Sequence, residues 1–182
     1  MKKLIVGGIW FALVCFGLMA HGRTFESVGA QRHVCNTGYK VPECLHQLSL
    51  LRAVLDRYHA NAFGPWTWVL VKSEDWKPIV GSFGGNVDSP AFTVLDKRET
   101  FLEEALFAPV GPRSAELLRT WSVPMDKLLS FTVTHELGHA LCLELDEAKA
   151  EIFAIAMRQG EQARCSTKDA RGLRVASSIE SR

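Results

Sequence analysis

From Pro42, apolar residues at Leu45, Leu48, Leu51, Leu55 and Tyr58 recur at intervals of three and four, predicting an amphipathic helix that ends near Asn61. Gly64-Pro65 stops this pattern, and Trp66 to Val71 (WTWVLV), dense in β-formers, reads as a strand. Residues 81–90, rich in Gly and Asn, read as a turn or mobile loop. Ala91 to Leu95 (AFTVL) and Glu99 to Leu102 predict two further short strands. Pro109, Gly111 and Pro112 interrupt again, and Ser114 to Trp121 reads as a short helix. Pro124 sits where a helix can start, and from there to Cys142 the pattern is helical throughout. Asp146 offers an N-cap for a last helix, Glu147 to about Gln159, ended by Gly160. Residues 23–41 carry neither period and read as irregular. The order of one helix, a few strands and two adjacent helices predicts a small α+β domain.

The start of the chain has a different pattern. Met1-Lys2-Lys3 is basic, and Leu4 to Ala20 carries no charge. That reads as a secretory signal peptide over residues 1–22, with cleavage after Ala20 or Gly22. The apolar stretch also stands at the lower edge of a membrane-spanning helix, so an uncleaved N-terminal anchor is the alternative. Either way residues 23–182 form a single domain outside the cytoplasm, periplasmic or secreted, with membrane contact only through that anchor. Four cysteines, Cys35, Cys44, Cys142 and Cys165, follow the leader, and three pairings are open. Cys35–Cys44 is the most local, and buried free thiols are the other reading.

Composition narrows the function classes. The 182 residues are 47% hydrophobic and 23% charged, which excludes a disordered tail, a collagenous repeat and a disulfide-dense miniprotein. Mean hydropathy is +0.04, raised by the leader. Lys+Arg 21 against Asp+Glu 20 leaves a net charge of +1, and no basic run points to nucleic acid.

Candidate chemistry lies in the long helix. In Thr134-His135-Glu136-Leu137-Gly138-His139, the two histidines are four apart, so their imidazoles project side by side and can converge on one metal ion. Glu136, offset by about 100°, cannot easily join them but can take a proton from a bound water, which is the mechanical reason for the spacing H-E-x-x-H. Gly138 costs about 1 kcal/mol relative to Ala inside a helix, which points to close backbone packing beside the site. A catalytic zinc needs a third protein ligand and an open position. Glu147 can supply the ligand if the last helix returns antiparallel, and Glu144 can only if the first helix frays. Glu151, one turn beyond Glu147, suits orienting His135 or His139 through the other ring nitrogen.

The segment from His135 to His139, followed by Glu147-Ala-Lys-Ala-Glu151-Ile-Phe-Ala154, resembles the gluzincin metallopeptidases, especially their small single-domain members. Its second part resembles the glutamate helix of the ImmA/IrrE group. The resemblance implies a minimal zincin-like fold, with a small twisted sheet packed on an active-site helix and a following glutamate helix. It implies one Zn2+ held by His135, His139 and Glu147, with Glu136 as general base and Glu151 supporting a ligand from behind. The function expected is that of an exported zinc metallopeptidase, hydrolysing peptide bonds of a peptide or protein substrate by a metal-activated water. An extended substrate would lie beside an edge strand within residues 91–106. The alternative is a noncatalytic exported module with a structural ion, closed by a fourth ligand such as Cys142. A cytosolic regulator-cleaving peptidase would also fit the resemblance, but the leader argues against it. Candidates for an oxyanion donor are Tyr39, Tyr58, His46, His59, Arg158 and Arg164.

Overall fold

The structure is a computed structural model that describes residues 25–60, 64–108 and 111–161. The leader over 1–22, Asn61, Pro109, Arg164 and Cys165 lie outside the described residues. Ten main elements follow one another: β1 (Phe25–Val28), β2 (Gln31–Cys35), α1 (Val41–Arg57), β3 (Trp66–Val71), α2 (Ser73–Ser82), β4 (Ala91–Val94), β5 (Glu99–Glu103), α3 (Pro112–Trp121), α4 (Met125–Cys142) and α5 (Glu147–Arg158). The domain is α+β, as its sequence predicts. Among the described residues no helix is long and apolar enough to cross a membrane.

The five strands form one mixed sheet in the order β1-β2-β3-β5-β4. β2, β3 and β5 run parallel at its centre, while β1 and β4 pair antiparallel at the two edges. Successive strand residues point to opposite faces, which sorts the side chains into two cores. Cys35, Trp66, Trp68, Leu70, Ala91 and Leu102 turn to one face, where they pack with Leu48, Leu51 and Leu55 of α1 and Leu128, Val133 and Leu137 of α4. Val69, Val71 and Phe101 turn to the other, where Trp76 and Val80 of α2 cover them. Phe92 stacks on Phe101 at 4.7 Å between ring centroids and extends this second core to the β4 edge.

Three departures from the sequence reading have physical causes. Residues 25–35 are a hairpin, not irregular chain, turning at Gly29, whose φ of +58° suits glycine. Its inward positions include Gln31 and His33, both buried, so a hydrophobic alternation is missing from a strand that is nevertheless interior. The helix α2 carries Pro78 inside it and buries only Trp76 and Val80, too sparse a signal for periodicity. The predicted loop at 81–90 accordingly begins only after Ser82. Finally, α1 ends at Arg57, short of Asn61, with the chain turning through His59 at a φ of +53°.

Cys35 and Cys44 form the most local of the possible disulfides, tying the end of β2 to the first turn of α1. Cys142 is also disulfide-bonded.

Candidate metal centre

Two helices build the site. α4 enters the core with Leu128, Val133 and Leu137 on its buried side and presents His135 and His139 one turn apart. Leu143 ends it in a left-handed conformation at a φ of 51°, and the chain turns back. Asp146 then caps α5 by accepting from the backbone N–H of Lys149, at 3.1 Å. The return is close. A Cβ on Gly138 would stand 2.2 Å from the carbonyl oxygen of Ala150, so only glycine lets the helix backbones approach this far. The close packing expected from an interior glycine is therefore present.

That approach brings three side chains together. Nε2 of His135 lies 2.9 Å from Oε2 of Glu147 and 3.3 Å from Nε2 of His139, and the third side of the triangle, His139 to Glu147, is 3.4 Å. His135, His139 and Glu147 thus form a group that could hold a metal ion. The other nitrogen of each ring is engaged. Nδ1 of His135 meets Oε2 of Glu151 at 3.0 Å, and Nδ1 of His139 meets the backbone carbonyl of Glu144 at 2.7 Å. An imidazole that donates from Nδ1 keeps a lone pair on Nε2, so both rings turn acceptors toward the same point. Burial lowers the basicity of His135, but its hydrogen bond to Glu151 and the charges of Glu136 and Glu147 outweigh this and raise its pKa. The surroundings favour a positive charge there.

Glu136 lines the same cleft and is only 4% exposed. Burial pushes its pKa up, opposed by a hydrogen bond donated by the Thr93 hydroxyl to Oε2 at 2.7 Å. Glu151 is buried enough to resist ionisation, yet hydrogen bonds from His135 and Arg158 leave its pKa below the usual carboxylate value. Arg158 also donates to the Thr134 hydroxyl at 2.8 Å and lies over the Phe131 ring.

All of this opens into a cleft of about 900 Å3. Its walls are β4, the 83–89 turn, Trp121 at the end of α3, and His135, Glu136, His139 and Glu147. Leu145, 82% exposed, stands at the rim. Among the described residues the edge strand beside the site is β4, because β5 is paired on both sides; the expected edge within 91–106 narrows to Ala91–Val94.

The structure brings five of the expected residues together: His135, Glu136, His139 and Glu147 line the cleft, and Glu151 stands behind His135. Glu144, the alternative third ligand, spends its carboxylate on the N–H of Asp146 and on Lys149. Its backbone carbonyl, not its side chain, serves the site. Cys142, the suggested fourth ligand, is tied in a disulfide and is not in the group. None of Tyr39, Tyr58, His46 and His59 lines the cleft, and Arg158 is committed to Glu151 and Thr134. Sequence reasoning missed Thr93 and the Glu144 carbonyl, since neither has a recognisable spacing from the histidines.

Compared with protein families, with curated proteins and with solved structures, the chain matches none.

Proposed function

We propose that this protein is an exported zinc-dependent peptidase built as a minimal zincin, with the sheet, α4 and α5 as its core. The observation that carries this reading is the triangle of His135 Nε2, His139 Nε2 and Glu147 Oε2, with sides of 2.9 to 3.4 Å. Tetrahedral ligands about 2.0–2.1 Å from zinc stand about 3.3 Å apart, so these three atoms fit that ion with little movement. Two imidazoles and one carboxylate are also the donor set of catalytic zinc, and they leave a fourth position for solvent or substrate. The Glu147 side chain is 78% exposed and lines the cleft, so the group is open to solvent. Zinc there would act as a Lewis acid, lowering the pKa of a water to about 7 and polarising a carbonyl.

The chain supplies the rest. An extended peptide can lie along β4, whose outer edge has no neighbouring strand among the described residues, and align by main-chain hydrogen bonds. Glu136, beside the histidines and facing the cleft, takes a proton from the attacking water as its oxygen bonds to the carbonyl carbon. It returns the proton to the amide nitrogen as the C–N bond breaks. Glu151 and the Glu144 carbonyl hold the two imidazoles in one tautomer throughout. An exported location belongs to the same reading. The leader pattern favours it, and the Cys35–Cys44 disulfide suits an oxidising compartment.

The test is metal analysis and peptide cleavage by purified protein, with and without chelator. Wild type should carry about one zinc and cleave unstructured peptides, and His139→Ala should lose the metal. Glu136→Gln should keep the zinc while hydrolysis falls about 10²–10⁴-fold. Full activity in Glu136→Gln would reject the role given to that carboxylate.

A further inference from the structure

Behind Glu136 runs a line of hydrogen bonds that peptide hydrolysis as such does not require. The Trp66 indole N–H donates to the Thr100 hydroxyl at 2.9 Å, the Thr100 and Thr93 hydroxyls meet at 2.8 Å, and the Thr93 hydroxyl donates to Glu136 Oε2 at 2.7 Å. These residues belong to β3, β5 and β4, three adjacent strands, and Thr93 stands directly opposite Thr100 in the register. All three side chains project from the sheet face that α4 packs on. We propose that Trp66, Thr100 and Thr93 form a one-way donor chain that anchors one oxygen of the general base and leaves the other free for water.

The direction follows from the chemistry of each group. An indole N–H can only donate, so Thr100 accepts from Trp66; Thr93 has one hydrogen and spends it on Glu136, so between the two hydroxyls Thr100 is the donor. Thr93 then accepts from Thr100 and gives its hydrogen to the carboxylate, which when ionised can only accept. With Glu136 ionised, the link between the hydroxyls cannot reverse without taking from the carboxylate the one hydrogen that Thr93 gives it. Burial makes the chain matter. Thr100 is fully buried, and Trp66 and Glu136 are nearly so, which shields the inner end of the chain from water, while Thr93 is half-buried at the cleft wall. A carboxylate at such a depth is costly without a donor, and a chain of donors polarised in one sense is stronger than a single hydroxyl. Thr93 is the link that counts for positioning. It sits on the edge strand, so the sheet that would align a substrate also holds the base that acts on it. Thr93 touches the base, not the reacting atoms, and is a positioning residue.

This inference rests on Glu136 being the general base, and the experiment separates the two claims. In metal-free protein, the Trp66 indole N–H resonance, assigned with Trp66→Phe, should shift on Glu136→Gln although the two side chains do not touch. In a Thr93→Val background the same change should leave it still. An indole signal that ignores Glu136→Gln, or that still responds to it in the Thr93→Val background, overturns the chain whether or not the protein cleaves peptides. In the zinc-loaded enzyme, Thr93→Val should lower kcat about 10- to 100-fold with KM and zinc content unchanged, and Thr93→Ser should restore most of it. Wild-type kcat in Thr93→Val, or a Thr93→Ser enzyme as slow as Thr93→Val, also overturns it. If Thr93→Val fails to fold, the indole response to Glu136→Gln in the otherwise native chain still decides. Loss of cleavage by the wild type itself would instead remove the peptidase reading.

Discussion

Gly138 has no room for a methyl group. A Cβ there would lie 2.2 Å from the carbonyl oxygen and 3.0 Å from the Cα of Ala150, and backbone cannot step aside as a flexible side chain can. Relief requires α5 to move away from α4, taking Glu147 and Glu151 with it. Gly138→Ala would gain about 1 kcal/mol of helix propensity, yet overpacking of this kind costs about 1–3 kcal/mol or more. The variant should therefore melt lower than wild type and, on the proposed function, bind zinc more weakly, as read by competition with a chromophoric chelator. Unchanged melting and affinity would mean the helices are not held by this contact. At this scale the site was largely legible in the sequence, because His135, Glu136, His139, Glu147 and Glu151 sit at spacings that helical geometry turns directly into directions. Thr93 was not, since it lies 43 positions from its partner and reaches it only through the sheet.

Among the elements, β2 and α1 are joined most directly, by the Cys35–Cys44 bond across a sequence separation of 9. β2 is the second strand from the edge, and α1 covers the central strands with Leu48, Leu51 and Leu55. Closing so short a loop removes conformational freedom from the unfolded chain, which in the entropic account is worth about 2–3 kcal/mol. Replacing both cysteines by alanine should lower the urea midpoint by a corresponding amount while leaving the spacing of the candidate metal ligands, which lie on α4 and α5, undisturbed. Equal midpoints would show that the packing of α1 alone fixes the hairpin. Elements were legible where burial falls on apolar residues at a regular period, as in α1, β3, α4 and α5. They were not where an interior strand turns Gln31 and His33 inward, nor in α2, where Pro78 and only two buried side chains leave no period to find.

For the molecule as a whole, His33 introduces a sensitivity to acid. The imidazole is fully buried in the middle of β2, paired in register with Trp68, and neither ring nitrogen has a hydrogen-bond partner among the described residues. Burial lowers its pKa below the ordinary 6.5, against a smaller upward pull from the Asp56 carboxylate on α1. The folded protein therefore holds His33 neutral where the unfolded chain would protonate it. Below pH 6.5 the unfolded state binds the extra proton, so this contribution to stability is complete above that pH and is lost as the pH falls toward the lower folded value. The contribution of His33 to the stability of the metal-free protein should accordingly fall as the pH drops from about 7.5 to 5.5. The site works in the opposite sense, because His135 has a raised pKa and favours the folded state at the lower pH. The two can be separated by substitution. Leucine is close to histidine in size and needs no partner, so His33→Leu should be neutral or stabilising at about pH 7.5. The same change should remove the acid-sensitive part of the profile and leave the rise from His135 exposed. Urea midpoints of both proteins at the two pH values, in chelator, make the comparison, and parallel profiles would show that the buried imidazole is not what limits this fold in acid.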